Sequence, residues 1–479
     1  MKKFIVAAIV AIAVIAIAAP ISMGFAVDRA LNTDKINAKL AELSGLCAGD
    51  DLPFEIRVDS YERGLFGAKS VLAFGGAAFD GRDLLTIESD MSFGWFPSSG
   101  FPFVSLVKSH DRVRLSGDLL DEARKELPES FQDGVLIEGD SVFTPYASFS
   151  GAYASRELNY QERGGSISAK PLTIQVSGDG KHNLHFALNQ PRIETISNDD
   201  YGKPASFLLE DLSARADGDL GGVGNASAEL VIKKIAFSNR RQTEKVDIDN
   251  ISVRTAQTPK GGVVDSVAIF AADSIGVVSS GKTVNADKPS YTFAMTGIDA
   301  KGALDLQRRM RDIQCRQAEN PQAAMEVFGL IDDIFALFDK GVEVSAKFEA
   351  AINDAPVNFN ASLQTDPKVT LPKFSMSPDY AEKLASKLII NADFSAHQGI
   401  LELFEIPELV LQMGTESGFV KQDGDLWKTD AHFKDNQWII NGKELPFEGL
   451  YPSNGGYSGY DDDYDDYDDD YYESDGGDY

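Results

Sequence analysis

Basic side chains are scarce in this chain: 45 Lys and Arg stand against 74 Asp and Glu, a formal net charge of −29. Phosphate-rich partners are repelled by such a balance, so no nucleic acid is expected as a partner and an anionic membrane surface is disfavoured. Histidine is rarer still, with five in 479 residues. The one close pair, His182 and His185, falls on an alternating stretch, where odd spacing sends the two rings to opposite faces of a strand; a metal pair there needs even spacing. Cysteine occurs only at Cys47 and Cys315, which excludes Cys-x-x-Cys redox chemistry and any multi-cysteine zinc site. No Gly-x-Ser-x-Gly elbow, His-Glu-x-x-His helix or strand-to-helix Gly-x-Gly-x-x-Gly turn is present. The stretch SYERGLFGAKS, Ser60–Ser70, looks like a phosphate loop, but the two positions that must be glycine hold Ala68 and Arg63. Nucleophile, base and metal signatures are therefore all missing. No catalytic residue, metal or cofactor is expected, although a dispersed carboxylate site among 74 acids has no sequence signature.

Long apolar runs are also few, and the clearest stands at the N-terminus. After Lys2 and Lys3 there is no charge from Phe4 to Val27, a run of 24 residues, and about 20 suffice to cross a bilayer core. Positive charge stays on the cytoplasmic side, which places everything after Asp28 outside the inner membrane. The expectation is a retained single-pass anchor over residues 1–27, with the bulk of the chain in the periplasm. The alternative is a cleaved signal peptide with its apolar region at Phe4–Ala19; Pro20 disfavours cleavage there, while Gly24-Phe25-Ala26 offers a small-residue site. In that compartment Cys47 and Cys315 are expected to form a disulfide, the alternative being two buried thiols.

Beyond the anchor the hydrophobic period changes. Residues 28–43 carry Ile36, Leu40 and Leu43 at helical spacing, then Phe54, Ile56 and Val58 alternate with Glu55, Arg57 and Asp59. A second apolar run at Val71–Phe79 makes Arg63-Gly64 the turn of a first hairpin. From Leu84 to Ser280 strand follows strand, broken by a short helix near Asp118–Glu126. An internal repeat lies within this region: LEDLSARA from Leu209 aligns with IDNISVRT from Ile248, with Ser213 and Ser252, and Arg215 and Arg254, each 39 residues apart. Any two hairpins of an antiparallel meander share some of this pattern. Read as a repeat, a two-strand unit of about 40 residues implies stacking into a long curved sheet.

Helices are expected at Gly302–Glu319 and Pro321–Phe338, the second with Met325, Phe328, Ile331, Ile334, Phe335 and Phe338 on one wide face. Strands return at Val342–Ile352 and Val357–Leu363. Short helices are expected at Pro378–Lys387 and near Phe404–Met413, and a closing hairpin series turns at Asp423-Gly424 and Asn441-Gly442. The fold class is thus mainly β with flanking helices: an extended, twisted antiparallel sheet over 28–300, a helix-containing β-rich region over 301–450, and a tail over 451–479. The tail carries ten Asp and one Glu from Asp461 onward without a base, and is expected to be disordered. It makes no EF-hand, since the glycine and glutamate positions counted from Asp461 hold Asp466 and Tyr472. A diffuse, weak association with divalent cations is all it offers.

The anchor, the Tyr-x-Arg-Gly-Leu-Phe stretch (Tyr61, Arg63, Gly64, Leu65, Phe66) and the closing hairpin (Asp423-Gly424, then Asn441-Gly442-Lys443) together resemble the YdgA/YihF-like family of Gram-negative envelope proteins. The resemblance spans about residues 1–450. It departs from the family at Phe93-Gly94-Trp95-Phe96-Pro97, where a His-Gly-Pro segment is usual, and at the acidic tail. It implies an inner-membrane-anchored, β-rich periplasmic protein without an established activity, and no catalytic residues follow from it. The expected function is non-catalytic binding of an apolar ligand or lipid; the alternative is an envelope scaffolding protein that contacts other proteins and holds no small ligand.

Overall fold

A computed structural model describes residues 55–446 together with Thr33, Asp34 and Asn37, apart from positions 64–66, 77–80, 98–103, 127, 129–130, 145–147, 163, 180–182, 199–203, 220–223, 240–242, 320–328, 339–340, 366–370, 373–379 and 404–405. The expected anchor, Cys47, Gly64, Leu65, Phe66, His182 and the acidic tail lie outside these residues, as does the Cys315 side chain, so the disulfide is not among the features described. Among the described residues no helix is long and apolar enough to cross a membrane.

Alternation dominates, and the chain forms one continuous antiparallel sheet. The first strands are β1 (Glu55–Arg63), β2 (Gly67–Gly76), β3 (Arg82–Pro97), β4 (Val104–Leu115), β5 (Val135–Phe143) and β6 (Phe149–Ser155), with helix α1 (Gly117–Glu126) between β4 and β5. There follow β7 (Leu158–Glu162), β8 (Gly165–Ala169), β9 (Thr173–Gly178), β10 (Asn183–Asn198), β11 (Pro204–Asp219), β12 (Ala226–Ser238), β13 (Glu244–Lys260), β14 (Val263–Ala271), β15 (Ser274–Ser279) and β16 (Lys282–Asp299). Helices α2 (Ala300–Glu319) and α3 (Ile331–Phe338) pack on each other and against β16. The sheet then resumes with β17 (Glu343–Ile352), β18 (Ala355–Thr365), β19 (Leu388–His397), β20 (Lys421–Asp423), β21 (Leu426–Lys434), β22 (Gln437–Ile440) and β23 (Lys443–Pro446). Between these lie α4 (Tyr380–Ala385), α5 (Gln398–Leu403) and α6 (Glu408–Ser417).

Pairing follows chain order almost throughout: β1 through β6 in sequence, then β9, β10, β11, β12 and β13. β13 is flanked by β14 and β15 laid end to end, and both pair with β16 on their far side. β16 pairs with β17, so the ladder runs unbroken past residue 300, and continues through β18, β19, β21, β22 and β23. The first edge is closed by side chains. Asn37 brackets the β1 backbone, accepting from Ile56 N at 2.8 Å and donating to Ile56 O at 3.0 Å, and Thr33 Oγ1 accepts from Val58 N at 3.2 Å. Such capping denies the strand to an outside chain.

A crease crosses the long central strands. Asp211 (φ 47°), Asn250 (φ 51°) and Lys288 (φ 47°) take the left-handed conformation in mid-strand. In the same line β8 gives way to β9 and β14 to β15. The crease is stitched by Lys170 N to Arg192 O at 2.9 Å, by Ala272 N to Pro289 O at 3.0 Å, and by the buried Gln190, whose amide donates to both Lys170 O and Arg192 O at 2.9 Å. Asp211 and Asn250 turn their strands over by one position, and β12 makes the same shift between Ile232 and Ile235 without a left-handed residue. Leu209 and Leu212, Ile232 and Ile235, and Ile248 and Ile251 are three residues apart, yet all pack in one apolar cluster, which strict period-2 alternation forbids. Asp211 and Asn250 occupy equivalent places in the aligned repeat, and Asp and Asn are the side-chain-bearing residues that best tolerate this conformation.

One expectation is corrected. The helix expected near Phe404–Met413 is α6, which starts only at Glu408, after the extended Pro407 (φ −62°, ψ 135°), and runs to Ser417; the separate helix α5 precedes the expected range. Proline has no N–H to continue a helix but suits its start. The described part of the expected 321–338 helix is α3, and that of Pro378–Lys387 contains α4.

Candidate functional site

Register places three neighbouring rows of side chains on one face of the sheet. From β9 to β21 the first row reads Ile174, Leu188, Ala214, Leu230, Val253, Phe270, Tyr291, Phe348, Phe359, Phe394 and Thr429. The second is a lane of small residues: Ala216, Ala228, Thr255 and Ala268, then Phe293, then Ala346, Ala361, Ala392 and Ala431. The third is bounded by Leu184 at one end and by Met295, Val344, Leu363, Ile390 and Phe433 at the other. Between β9 and β21 none of the three rows contains a charged residue. The opposite face carries the charge, as in the Arg215, Glu229, Arg254 ladder, where Arg254 Nε donates to Glu229 Oε1 at 2.7 Å.

This face is covered at its two ends and left open between them. Over β1–β6 and β9 the inward residues Ile56, Leu72, Phe74, Leu85, Val113 and Ile174 are fully buried in a cluster that Leu120 of α1 joins. Beyond β10 much of the same face is half-buried or open, with Tyr291 41% exposed and Phe359 and Phe394 each 38% exposed, until it closes again at Val357, Ala396 and Phe433, which are buried. At the far end Ile400 and Leu401 of α5 and Leu411 of α6 lie over Val357, Ala396 and Trp427. Between the two ends lies a trough, part of which has a volume of about 430 Å³ and is lined by Leu184, Ala216, Ala228, Ala268 and Phe293, with Asp217 and Asp219 also on its wall. Small side chains make the hollow, and Phe293 interrupts the lane at its far end.

A polar cluster sits within the filled end. Asp111 faces inward and accepts from Ser109 Oγ at 2.6 Å, Ser141 Oγ at 3.1 Å and Tyr153 Oη at 3.0 Å. Ser109, Ser141 and Tyr153 are buried. The Tyr153 ring lies over Gly139 and Gly151, where a Cβ would come within 2.6 and 2.7 Å of it. Burial first, and then the Asp111 carboxylate, push the Tyr153 phenol far above its ordinary range, so it remains a donor at any physiological pH. The cluster was not anticipated, although Ser109 and Asp111 at inward positions between Val107 and Val113 are a readable break in the alternation.

The residues of the two sequence motifs lie far apart along the order of strands, in β1 and around β20–β23. Tyr61 is half-buried and Arg63 exposed at the end of β1. At the other end, Gly424 (φ 63°), Asn441 (φ 51°) and Gly442 (φ 81°) adopt the left-handed turn conformations that Asp-Gly and Asn-Gly suggested. Asp423 accepts from Lys428 Nζ at 2.6 Å, which holds its carboxyl below the usual range. Asn441 does more than turn the chain. Its amide donates to Gly418 O at 3.1 Å and to Phe419 O at 3.0 Å, its Oδ1 accepts from Asp430 N at 3.0 Å, and Lys443 packs against Gly418. The closing hairpin therefore fixes the C-terminal end of α6. His185 is hydrogen-bonded to Asp217 on the charged face, in the line of neighbours Ser177, His185, Asp217 and Ser227, and His110 Nδ1 lies 2.9 Å from Asp140.

A family model described as "Bacterial protein of unknown function (DUF945)" matches residues 1–448. No curated protein and no solved structure matches the chain.

Proposed function

The chain belongs to the DUF945 family of bacterial proteins, and we propose that it is a non-catalytic periplasmic protein, anchored in the inner membrane, that shelters an apolar ligand such as a lipid acyl chain on the open face of its sheet. The observation that carries this reading is the set of three uncharged rows beyond β10, left open between the filled N-terminal end and the α5–α6 cluster. From β11 to β19 it spans seven inter-strand steps, about 34 Å at ~4.8 Å each, and is about 14 Å wide, a largely apolar patch of roughly 500 Å². Patches of that order on soluble proteins mark binding sites. The hollow from Leu184 to Phe293 covers five steps, about 24 Å, which exceeds the ~15 Å that one leaflet contributes to a bilayer core. Its volume of about 430 Å³ falls within the roughly 300–1,000 Å³ of small-molecule sites. The N-terminal apolar run and the resemblance to YdgA/YihF-like envelope proteins support a location beside a lipid source.

The test is extraction of the full chain purified without detergent exchange, comparing wild type with Ala228→Trp and Ala268→Trp, which fill the lane. Co-purifying lipid is expected with wild type and should fall roughly fivefold in either variant, a loss of about 1 kcal/mol of binding, at an unfolding midpoint no lower than that of wild type. Absence of lipid from wild type, or full retention in both variants, contradicts the reading. The alternative, an envelope scaffold without a small ligand, is favoured by the solid packing over β1–β6 and would leave all three preparations free of lipid.

A further inference from the structure

We infer that helix α6 is a bilayer-docking element whose uncharged outer stripe seats on an electroneutral lipid surface beside the open trough. Leu409, Val410 and Met413 share one face of α6, and Ile406, ahead of the extended Pro407, is 38% exposed. Leu409 is 66% exposed, Val410 55% and Met413 61%, and no residue of the helix is buried. Leu411, on the opposite side, packs toward the sheet. A helix that is apolar on both sides yet buries nothing is unfinished without a partner.

The exposure is held in place by the fold. Gly418 caps the helix in the left-handed conformation, with its N–H donating to Thr415 O at 3.0 Å, and Asn441 clamps the carbonyls of Gly418 and Phe419. The stripe is therefore presented as a fixed surface.

Charge and position identify the occupant. α6 carries Glu408 and Glu416 and no Lys or Arg, so it is set against an anionic surface and compatible with a neutral one. The stripe offers no donor or acceptor, which suits hydrocarbon better than a protein rim that needs its polar groups met. Leu411 belongs to the same cluster as Phe348, and Phe348 adjoins the exposed Phe359 in register. A bilayer seated on the stripe would thus meet the end of the aromatic row, through which a chain could pass into the trough. The preference for a bilayer over a second copy of this chain rests on the acyl-chain reading above.

The test uses the full chain with phosphatidylcholine vesicles containing brominated lipid, and the tryptophan emission that Leu409→Trp or Gln412→Trp adds to that of wild type. The N-terminal apolar run affects both variants equally, so only a local probe discriminates. Both positions are exposed, and unfolding midpoints should match wild type. A stripe immersed ~5–10 Å into the interface should make quenching at Leu409→Trp roughly threefold stronger than at Gln412→Trp. Replacing about a third of the lipid by phosphatidylglycerol should weaken it roughly twofold. Equal quenching at the two sites, or none at either, overturns the proposal. So does a blue shift at Leu409→Trp that grows with protein concentration in the absence of vesicles, which assigns the stripe to self-association. If quenching fails while lipid still co-purifies with wild type and is lost in Ala268→Trp, the trough reading stands and the docking inference alone is removed; if both fail, both are removed.

Discussion

Asn250 is where the crease can be tested most directly. It holds φ 51° in the middle of β13, and its Nδ2 donates to Asp273 Oδ2 at 2.7 Å on the exposed side of the break between β14 and β15. Asn250→Ala places a Cβ-bearing residue with no local hydrogen bond in the left-handed region, at a cost of about 1 kcal/mol. Loss of an exposed hydrogen bond to a carboxylate adds about 1 kcal/mol, for a total near 2. Asn250→Gly loses the same hydrogen bond but tolerates the backbone, so about 1 kcal/mol is expected. Lys288, at φ 47° with neither Asn nor Gly chemistry, provides the reverse test: Lys288→Asn should stabilise by about 0.5 kcal/mol. Local stability is read by native-state hydrogen exchange at the amides of Ile232 and Ile251, which lie in the cluster the crease folds. If Asn250→Ala and Asn250→Gly are equally damaging, or if Lys288→Asn destabilises, backbone handedness does not set the crease and the account of the face reversal fails.

Tyr153→Phe removes one of three donors to the inward Asp111 carboxylate and should cost about 2 kcal/mol, as for hydrogen bonds to charged groups; chemical unfolding of the region containing β4–β6 measures it, and a change within about 0.5 kcal/mol would show that the network carries no stability. Asp133 titrates in the opposite sense to Tyr153: burial raises its pKa, but the hydrogen bonds from Arg156 Nη1 at 2.9 Å and Val135 N at 3.1 Å outweigh that and hold it below the ordinary carboxylate value. A depressed folded pKa contributes stability that is fully present above the unfolded value of about 4 and is lost as pH falls through the lower folded value. Arg156→Ala should therefore flatten the acid limb of the unfolding midpoint against pH below about 4; an unchanged limb would show that the pair is immaterial.

Much of this architecture was legible because antiparallel sheets advertise themselves locally. Strands with one buried face alternate, and the Asp423-Gly424 and Asn441-Gly442 turns supply the positive φ that their positions require. What escaped was whatever depended on an exception to period 2. The repeat at Leu209 and Ile248 was visible, but its meaning was not: Asp211 and Asn250 reverse the face, so the apolar partners sit three apart and score poorly against either a strand or a helix template. The late start of the helix expected near Phe404–Met413 turned on Pro407, whose position inside an apolar run could mean either a kink or a start. The site itself was legible only as a class. A strand-dominated chain with stacked repeats beside a membrane anchor suggested a sheltered apolar surface, but which face is open depends on partners brought side by side from many strands, and no single stretch records that. The outward stripe of α6 reads in sequence like core, because Leu409, Val410 and Met413 are the residues a core would use.

The difference between the filled and the open parts of the sheet lies in side-chain volume, since the ladder continues through both. Stacked layers stand about 10 Å apart, and over β1–β6 and β9 the inward positions carry Ile, Leu, Phe and Val that close that gap. Along the lane the corresponding positions carry alanine, at Ala216, Ala228, Ala268, Ala346, Ala361, Ala392 and Ala431, and a methyl group cannot span half a layer. Flanking rows of Phe, Tyr, Leu and Met then stand as walls without a filling. The outer face needs no second layer, because its alternating Arg215, Glu229 and Arg254 are solvated and paired. A sheet solvated on one face and walled on the other is stable as an open structure only while the walls are covered, and α1 at one end and α5 with α6 at the other cover them. Enlarging the alanines should therefore do two things at once: stabilise the sheet by filling the lane, and remove the space that a ligand would take. A scaffold with no ligand would gain stability from such changes and lose nothing, which makes the sign of the functional change, set beside the sign of the stability change, the sharper discriminator between the two readings.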